Sequence, residues 1–437
     1  MIVRNARVLT LDAANQVFEN ADVVVSAEGR IERVGQVLHP AGDVLDAGGK
    51  LLMPALINCH THLYSTLARG IALPGKAPKN FIEILQKLWW QLDRALNPDD
   101  VYYSALVGLV DCAKNGVGTL VDHHSSPNAC AGSLDLIERA FREVGLRGVL
   151  CYETSDRDGP AKAEAALTEN VRFIERTRGS GDGQIAASFG LHASFTLSDR
   201  TLRRAVEAAT GLGAGLHVHV AEDRSDLDHA RRHYHKTVVR RLRDLGVLTG
   251  RSLAAHCIHV TAADITALAK SGVAVAHNPQ SNSNNAVGVA KLIELLRAKV
   301  LVGLGSDGYT PRMWEEFKTA FHLQKVRTGD PRVGYAEAYA AALLNNRTIA
   351  KQLWGMEVGV IEPGAMADLI LVDYYPPTPL HAGNLFGHLL FGIANAPIDT
   401  MMVNGRIVLQ DKRCVTVDER DVAARATRQA KALWERF

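Results

Sequence analysis

Residues 51–62 read LLMPALINCHTH. The apolar run Leu51 to Ile57 predicts a buried strand. His60 and His62 follow it, and a spacing of two residues puts both imidazoles on the same side of an extended chain. Two imidazoles on one side suit a metal ion, although a pair of hydrogen-bonded polar side chains would have the same pattern.

Seven more apolar stretches of strand length follow, separated by helical stretches, as a parallel sheet requires. They are Gly118 to Val121, Gly148 to Tyr152, Ile185 to Phe189, Ala214 to His219, Ser252 to His256, Val273 to His277 and Val300 to Gly305. Eight such strands predict an α/β fold, a (β/α)8 TIM barrel, which takes roughly 250 residues. The chain has 437 residues, so it has room for a second, smaller domain.

The two ends of the chain differ from this middle part. Residues 2 to 48 are predicted to form short strands separated by turns, and the same texture returns in Ala367 to Val372 and Met401 to Leu409. We expect both ends to build one small β-sandwich domain together, closed by a terminal helix from about Asp418 to Phe437. The predicted division is therefore residues 1–53, 54–357 and 358–437, with the barrel in the middle.

Chemically active side chains stand where the predicted strands end. Seven of the eight strands end in this way, and the side chains are those of His60, His62, His123, His124, His192, His219, His256, His277 and Asp307. A TIM barrel has its active site at the carboxyl ends of its strands. The pattern therefore predicts one common site to which these strands each contribute a group.

A four-residue metal site is the first component of that prediction. His219 ends the fifth strand, and Asp307 follows the eighth among small residues that leave space near it. Together with His60 and His62 they supply three nitrogens and one oxygen, which fit zinc best, while iron, manganese or cobalt could occupy such a site. Asp307 could instead cap a helix or lie in a turn.

Glu222 and His256 are the predicted catalytic partners of this metal, beside the ligand Asp307. A bound divalent metal lowers the pKa of its water from about 15.7 toward about 7. Glu222, three residues after His219, is placed to take the proton from that water and pass it to a leaving nitrogen. His256 could stabilise developing negative charge. The alternatives are a surface salt bridge for Glu222 and a hydrogen-bonded core position for His256.

Composition and charge narrow the classes of partner. The formal charge is +2 and the 49 basic residues are spread along the chain, which argues against a nucleic-acid binder and favours a small, roughly neutral substrate. No run of about 18 apolar residues predicts a membrane span. Met1 to Asp12 lacks the pattern of a signal peptide, so we expect a cytoplasmic protein. The six cysteines have no Cys-x-x-Cys spacing and are interpreted mostly as buried thiols.

The motifs in their order along the chain resemble those of the amidohydrolase superfamily, in the branch of cytosine, guanine and S-adenosylhomocysteine deaminases and triazine chlorohydrolases. The matching segments are His60-Thr61-His62, His219 to Glu222, Ala255-His256-Cys257, His277-Asn278-Pro279 with Ser281-Asn282, Gly305 to Gly308, and Glu362 to Leu369. The resemblance implies a metal-dependent hydrolase of non-peptide carbon–nitrogen bonds that deaminates an aminated nitrogen heterocycle, purine-related or similar.

The resemblance also bears on metal number and on substrate contacts. Two-metal members of this superfamily usually bridge their ions with a carboxylated lysine after the fourth strand, and Gln184 to Arg200 contains no lysine. We therefore expect one divalent metal ion, zinc first and iron or manganese as alternatives. His192 is expected to contact the substrate, and so is Asn278. We also expect a homo-oligomer.

A closer similarity is to the aminohydrolases called SsnA, on the segments Leu88 to Leu96, Val121 to Pro127 and Pro376 to Leu380. It implies that Trp89, Trp90, His123 and His124 line the substrate side of the barrel mouth. The alternative is that the tryptophans belong to a helix core and that the two histidines bind loop carbonyl groups.

Two other functions fit the same residues. The activated water could expel chloride or open a cyclic amide, because the motif sets the nucleophile and not the leaving group. The chain could also be a barrel that has lost catalysis and serves as a scaffold, but such proteins usually lose metal ligands, and here all four are present with Glu222. Substrate identity depends on loops such as Gly70 to Asn80 and Asp122 to Ala131, whose conformations the sequence does not reveal.

Overall fold

The computed structural model describes residues 1–38, 42–179 and 183–437. Its strands are β1 Ile2–Leu9, β2 Val17–Val25, β3 Ile31–Gly35, β4 Val44–Asp46, β5 Leu51–Pro54, β6 Leu56–Thr61, β7 Val117–His124, β8 Arg147–Tyr152, β9 Ile185–Ala187, β10 Phe189–Ala193, β11 Leu216–Val220, β12 Leu253–His256, β13 Ala274–His277, β14 Val302–Leu304, β15 Leu369–Val372, β16 Ile398–Val403, β17 Arg406–Gln410 and β18 Arg413–Cys414.

The helices lie mostly between the strands of the middle part. They are α1 Phe81–Ile84, α2 Trp90–Ala95, α3 Pro98–Lys114, α4 Ser133–Val144, α5 Pro160–Thr177, α6 Asp199–Gly211, α7 Arg224–Tyr234, α8 Val238–Asp244, α9 Ala262–Ser271, α10 Pro279–Asn284, α11 Leu292–Arg297, α12 Met313–Thr328, α13 Tyr335–Tyr339, α14 Asn346–Trp354, α15 Leu385–Phe391 and α16 Glu419–Arg436. The π-helical segments Leu85–Trp89 and Ala340–Asn345 connect α1 to α2 and α13 to α14, and short 3-10 segments cover Leu63–Ala68, Ser194–Thr196 and Ile393–Asn395.

Two parallel sheets form the middle part of the chain. One has the order β6-β7-β8-β9 and the other the order β10-β11-β12-β13-β14. Only Ser188 separates β9 from β10, so the fourth predicted strand crosses from one sheet to the other. At the opposite edge Thr61 forms a parallel bridge with Asp307, and the Ser306 amide donates to the His60 carbonyl at 2.9 Å. The fold is a mixed α/β fold with parallel sheets that touch at both edges.

The first predicted strand needs a correction. Leu51 to Ile57 is not one strand, because the strand is interrupted at Ala55 and its two parts join different sheets. In β5, Leu52 pairs with Leu371 of β15 in antiparallel fashion, whereas in β6, Ile57 pairs with Thr119 in parallel fashion. The chain therefore passes at Ala55 from the sheet that contains β15 to the parallel sheets.

Strands from both ends of the chain pair in a single nine-stranded sheet. Its order is β18-β17-β16-β15-β5-β1-β2-β3, with β4 attached to β1. Hydrogen bonding thus joins all nine strands, and the arrangement of this sheet as a sandwich stays a prediction. The sheet encloses its own apolar cluster, which includes Val8, Val23 and Leu371. Both chain ends are consequently needed to complete this core.

The terminal helix α16 lies elsewhere than expected. It was predicted to close the small β domain, but it packs on α3 beside the parallel sheets. The Trp434 indole N–H donates to the Leu67 carbonyl at 2.8 Å, and Gln429 donates to Asp100 at 2.7 Å. The apolar face of α16 includes Leu433, which is fully buried. Such a face packs against another apolar surface, and α3 supplies that surface.

The cysteines and the helices show neither disulfide bonds nor membrane spans over the described ranges. All six cysteines are unpaired, five are buried and Cys414 is half-buried, which confirms the prediction for most of them. Over the described ranges, every helix is too short or too polar to cross a bilayer.

Candidate active site

Four side chains converge at the carboxyl ends of β6, β11 and β14. The His62 Nε2 atom lies 3.2 Å from His219 Nε2 and 2.9 Å from Asp307 Oδ1. His60 Nε2 lies 3.3 Å from the same Asp307 oxygen. All four residues are at least nine-tenths buried. We call these residues the four-residue cluster, and it brings together every metal ligand predicted from the sequence.

The far side of each histidine ring is fixed by a second hydrogen bond. The Nδ1 atom of His62 donates to the His123 carbonyl at 2.5 Å, and that of His219 donates to the His192 carbonyl at 2.8 Å. The Nδ1 atom of His60 is paired with His217 Nε2 at 2.9 Å. Such outer hydrogen bonds set the tautomer and the direction of metal-binding histidines. They leave the Nε2 atoms of His62 and His219 aimed into the cluster.

This arrangement fits a cation. The Nε2 atoms of His62 and His219 face each other at 3.2 Å, and the Asp307 carboxylate outweighs burial and raises the pKa of His62 to about 9, which shows that positive charge is favoured at this place. His60 Nε2 is buried and has no hydrogen-bond partner among the described residues. Burial lowers the pKa of His60 to about 3, so this ring is neutral. Three imidazoles and one carboxylate form a donor set typical of a divalent metal.

Asp307 is oriented by a hydroxyl group that the sequence did not single out for this role. Ser281 Oγ donates to Asp307 Oδ2 at 2.5 Å, which leaves Oδ1 for His60 and His62. Asp307 has a φ of +57°, a left-handed conformation that is uncommon outside glycine. Gly305 is required nearby, since a Cβ atom there would lie 2.8 Å from the His60 amide nitrogen.

Glu222 and His256 lie next to the cluster, as predicted. Glu222 Oε2 is 3.5 Å from His256 Nε2, and Asp307 Oδ2 is 4.0 Å from the same nitrogen. Burial, followed by the nearby Asp307 carboxylate, raises the pKa of Glu222 well above its usual range. Asn282 Oδ1 accepts from His256 Nδ1 at 2.8 Å, so the Nε2 face is presented to the site. A carboxyl group that holds its proton readily suits a general acid and base.

The cluster lies at the bottom of a cleft of about 790 Å³. One side is apolar and aromatic and comprises Phe81, Leu85, Trp89, Trp90 and Phe195. Trp89 and His192 line this cleft, and their contact with a substrate stays a prediction. A flat apolar wall above buried polar groups is typical of a site for a planar ring.

Charged side chains lie beside this aromatic side, and we call Glu153, Arg157 and Asp93 the charged wall, of which Glu153 and Arg157 line the cleft. Arg157 pairs with Asp93, and its Nε donates to Asp158 at 3.0 Å. Burial opposes the charge of Glu153, but His192, His123 and Arg157 together hold its pKa well below its usual range. The Glu153 side chain is only 3% exposed, so an ionised carboxylate lies almost fully buried beside the cleft.

Three predicted substrate contacts take supporting positions instead. His123 is fully buried, with Nδ1 3.2 Å from Glu153 and Nε2 donating to the His217 carbonyl at 3.3 Å. His124 is paired with Ser126 at 2.8 Å, and Asn278 lies 3.4 Å from His256 Nδ1. None of the three is among the described residues that line the cleft. They lie behind the reacting groups, because their side chains are used to fix neighbouring residues.

Sequence reasoning missed Glu153 although a signal was present. Glu153 directly follows β8, the one predicted strand for which no chemical residue was named. The prediction that active side chains stand at strand ends would have included Glu153 if it had been applied to carboxylates at this strand. Arg157 and Asp93 gave no comparable signal, because they lie on a loop and a helix.

Comparisons with known proteins agree with this geometry. Residues 51–408 match the sequence pattern of the amidohydrolase family. The chain belongs to the amidohydrolase family. It is 34% identical to a 5-methylthioadenosine/S-adenosylhomocysteine deaminase of Desulforudis audaxviator, with 100% of this chain and 99% of the relative covered. It is 33% identical to a 5'-deoxyadenosine deaminase of Methanosarcina mazei, with 99% and 98% covered.

A solved structure supports the fold. The adenosine deaminase from Xanthomonas campestris, determined with bound zinc, superimposes with a TM-score of 0.88 at 24% identity, covering 99% of this chain and 98% of the other. Enzymes of the amidohydrolase family are metal-dependent, and this chain is accordingly a metal-dependent hydrolase of carbon–nitrogen bonds other than peptide bonds. The buried histidine and aspartate groups of the site can hold a divalent metal.

Proposed function

We propose that the protein is an aminohydrolase that deaminates an aminated nitrogen heterocycle with one zinc ion. The observation that carries this proposal is that His219 and Asp307 lie within 3.2 Å of His62 Nε2, beside the Glu222 carboxyl, whose pKa is raised by burial and by Asp307. His60 completes the ligand set. The names of the two curated relatives, both deaminases of adenosine derivatives, support an aminated ring as the substrate.

The reaction replaces an exocyclic amino group by an oxygen from water. When bound, the metal supplies an activated water by lowering its pKa. Glu222 accepts a proton from that water while the oxygen forms its bond to the ring carbon. The same carboxyl then returns the proton to the amino nitrogen, the carbon–nitrogen bond breaks, and ammonia leaves.

His256 and the aromatic side of the cleft assist this exchange. His256, held by Asn282 and 3.5 Å from Glu222, can stabilise negative charge that develops on the ring. Trp89 and Trp90 offer flat apolar surfaces that position the ring over the cluster. Expulsion of water from this apolar side strengthens each charge interaction below it.

The finer description of the fold belongs to the same proposal. Contacts at both edges of the two parallel sheets support one closed (β/α)8 barrel with the four-residue cluster at its carboxyl end. The nine-stranded sheet from both chain ends is then the small β domain. The division at residues 53 and 357 remains a prediction.

Metal removal and ammonia release test the proposal. Protein treated with a chelator is expected to lose its activity on aminated purines and pyrimidines, and one equivalent of zinc per chain is expected to restore it. Turnover of each ring is followed by ammonia release. Absence of ammonia from every aminated ring, with hydrolysis of a cyclic amide such as a hydantoin, would refute deamination.

A further inference from the structure

A buried asparagine side chain lies between β6 and β14, where the two parallel sheets meet. The Leu304 N–H donates to Asn346 Oδ1 at 2.7 Å, and Asn346 Nδ2 donates to the Ile57 carbonyl at 2.6 Å. The same Nδ2 atom also donates to the Leu304 carbonyl at 3.0 Å. Neighbouring strands of a parallel sheet normally pair directly, with an N–H of one bonded to a carbonyl of the other. Here one carboxamide stands between the two groups.

The second place where the two sheets meet, between β8 and β10, has the same construction. Asn170 Oδ1 accepts from the Gly190 N–H at 3.1 Å, and Asn170 Nδ2 donates to the Tyr152 carbonyl at 2.8 Å. The Tyr152 N–H donates to the same Oδ1 atom at 2.9 Å. Asn170 lies on α5 and Asn346 begins α14, so two helices that are far apart in sequence supply the same group. The repetition at both edges indicates a common role.

The orientation of each carboxamide is fixed by its partners. Each oxygen accepts from a main-chain N–H, which can only donate, and each nitrogen donates to a main-chain carbonyl, which can only accept. Both side chains are fully buried. A Cβ atom at Gly303 would lie 2.3 Å from Asn346 Oδ1, so the strand is closely fitted around this group. A buried carboxamide bonded in this way is held rigidly and is costly to remove.

The position of Asn346 relates it to the four-residue cluster. Ile57 lies three residues before the proposed ligand His60 on β6. Leu304 lies three residues before the proposed ligand Asp307, which follows β14. These two ligands therefore stand on opposite sides of the place that Asn346 bridges. The 3.3 Å between His60 Nε2 and Asp307 Oδ1 depends on how far apart the two strands are held.

The two strands pair directly above this asparagine. The Asp307 N–H donates to the His60 carbonyl at 2.9 Å, and Thr61 forms a bridge with Asp307. Removal of the carboxamide would leave the Leu304 N–H and the Ile57 carbonyl buried without this partner. Their direct approach to each other would close the gap that the carboxamide fills and would tilt β6 against β14. The ligands above would then change their spacing.

Asn170 lies beneath a different part of the cleft. Tyr152 immediately precedes Glu153, and Gly190 lies two residues before His192. Both Glu153 and His192 line the cleft. The proposed metal ligands lie on or after other strands than β8 and β10, and the His192 carbonyl supports the ring of one of them at 2.8 Å. A shift at this place would therefore move cleft residues more than metal ligands.

We infer that Asn346 and Asn170 are positioning residues that hold the two parallel sheets at the spacing that the site requires. Asn346 sets the distance between the metal ligands on its two sides, and Asn170 sets the position of residues that line the cleft. Each acts through the strands that it joins. The part that concerns Asn346 rests on the proposed zinc site.

Asn346→Ala is the main test, and Asn170→Ala is its matched control. Both variants lose a fully buried carboxamide that bridges two strands, so both should unfold more easily. Zinc affinity of the folded protein, measured by competition with a chromogenic chelator, should weaken by about tenfold to hundredfold in Asn346→Ala and by less than about threefold in Asn170→Ala. A role in stability alone would leave zinc affinity unchanged in both. Equal zinc affinities of the two variants would overturn the inference.

Asn346→Ser provides a milder variant in case Asn346→Ala does not fold. Its hydroxyl can bond to one strand but is too short to span both, so zinc affinity should weaken by about threefold to tenfold. Asn345→Ala is the control on the same pair of strands, because Asn345 Nδ2 donates to the Val302 carbonyl at 2.7 Å, five residues before Asp307. This control should bind zinc as wild type does. Wild-type zinc affinity in Asn346→Ser would contradict the inference.

Steady-state kinetics on the zinc-saturated proteins test the role of Asn170. With the aminated ring that the wild-type protein turns over best, Asn170→Ala should raise KM severalfold and keep kcat within about threefold, because its strands carry cleft residues. A wild-type KM in Asn170→Ala would overturn the assignment of this residue. A wild-type protein that binds no zinc would instead contradict the proposed function.

Discussion

The four-residue cluster and the charged wall occupy the same cleft but are built differently. The cluster takes its side chains from positions at strand ends, and main-chain carbonyls of His123 and His192 fix two of its rings. The charged wall depends on side chains alone, since Arg157 is held by Asp93, which lies 64 residues away in sequence. The side chains of the cluster are thus fixed by the backbone of the sheet. Those of the charged wall are fixed by ion pairs between buried charges. We expect changes in the first to abolish activity and changes in the second to alter selectivity.

The largest effect is expected from Asp307→Ala. Loss of the carboxylate that lies 2.9 Å from His62 and 3.3 Å from His60 should prevent metal binding. Because a metal contributes several kcal/mol to the transition state, kcat/KM should fall by about a thousandfold or more. Elemental analysis and ammonia release measure both effects. Asp421→Ala, at an exposed position of α16, is the control, and full zinc content with normal turnover in Asp307→Ala would refute the ligand role.

Glu222→Gln separates proton transfer from metal binding. The amide keeps the shape of the side chain but cannot carry the proton, so kcat should fall by about a hundredfold while zinc content stays the same. Zinc content and kcat are measured on the same preparation. Unchanged turnover would exclude Glu222 as the general base, and loss of zinc would assign it to the cluster instead.

Ser281→Ala addresses the orientation of the cluster. The variant loses the hydroxyl that donates to Asp307 Oδ2 at 2.5 Å, and zinc affinity should weaken by about tenfold to hundredfold. Competition with a chromogenic chelator gives the affinity. Ser283→Ala, two residues further along α10 and bonded to the Pro279 carbonyl, is expected to match wild type. Equal affinities for both variants would remove Ser281 from this role.

Asp93→Asn should have the smallest effect on turnover and tests the charged wall. Burial raises the pKa of Asp93 to about 6, and the group accepts hydrogen bonds from Arg157 and from Ser125. Because burial disfavours the ionised form and the amide keeps an oxygen that can accept from Arg157, the free energy of unfolding should change by less than about 1 kcal/mol, while KM should rise severalfold with zinc content and kcat little changed. Denaturant unfolding and steady-state kinetics measure these effects, with exposed Asp99→Asn as the control. A lower zinc content in Asp93→Asn would mean that the charged wall also contributes to metal binding by the four-residue cluster.

Part of the fold was predictable because strand ends are a local property of the sequence. Each of the eight predicted parallel strands has a counterpart in the structure, and the metal motif follows β6, β11 and β14 as expected. The break at Ala55 was not predictable, since an apolar run does not tell which sheet each half will join. The position of α16 on α3 was missed for a similar reason, because an amphipathic helix indicates a buried face and not its partner.

The sequence by itself determined the composition of the four-residue cluster and the position of Glu222. These residues follow strands whose carboxyl ends meet at one edge of a parallel sheet, so their spacing along the chain was enough to bring them together. Only the tertiary structure decided which groups line the cleft. His123, His124 and Asn278 lie behind the site, whereas Glu153 and Arg157 border the cleft, because a buried charge is stable only where distant residues compensate it.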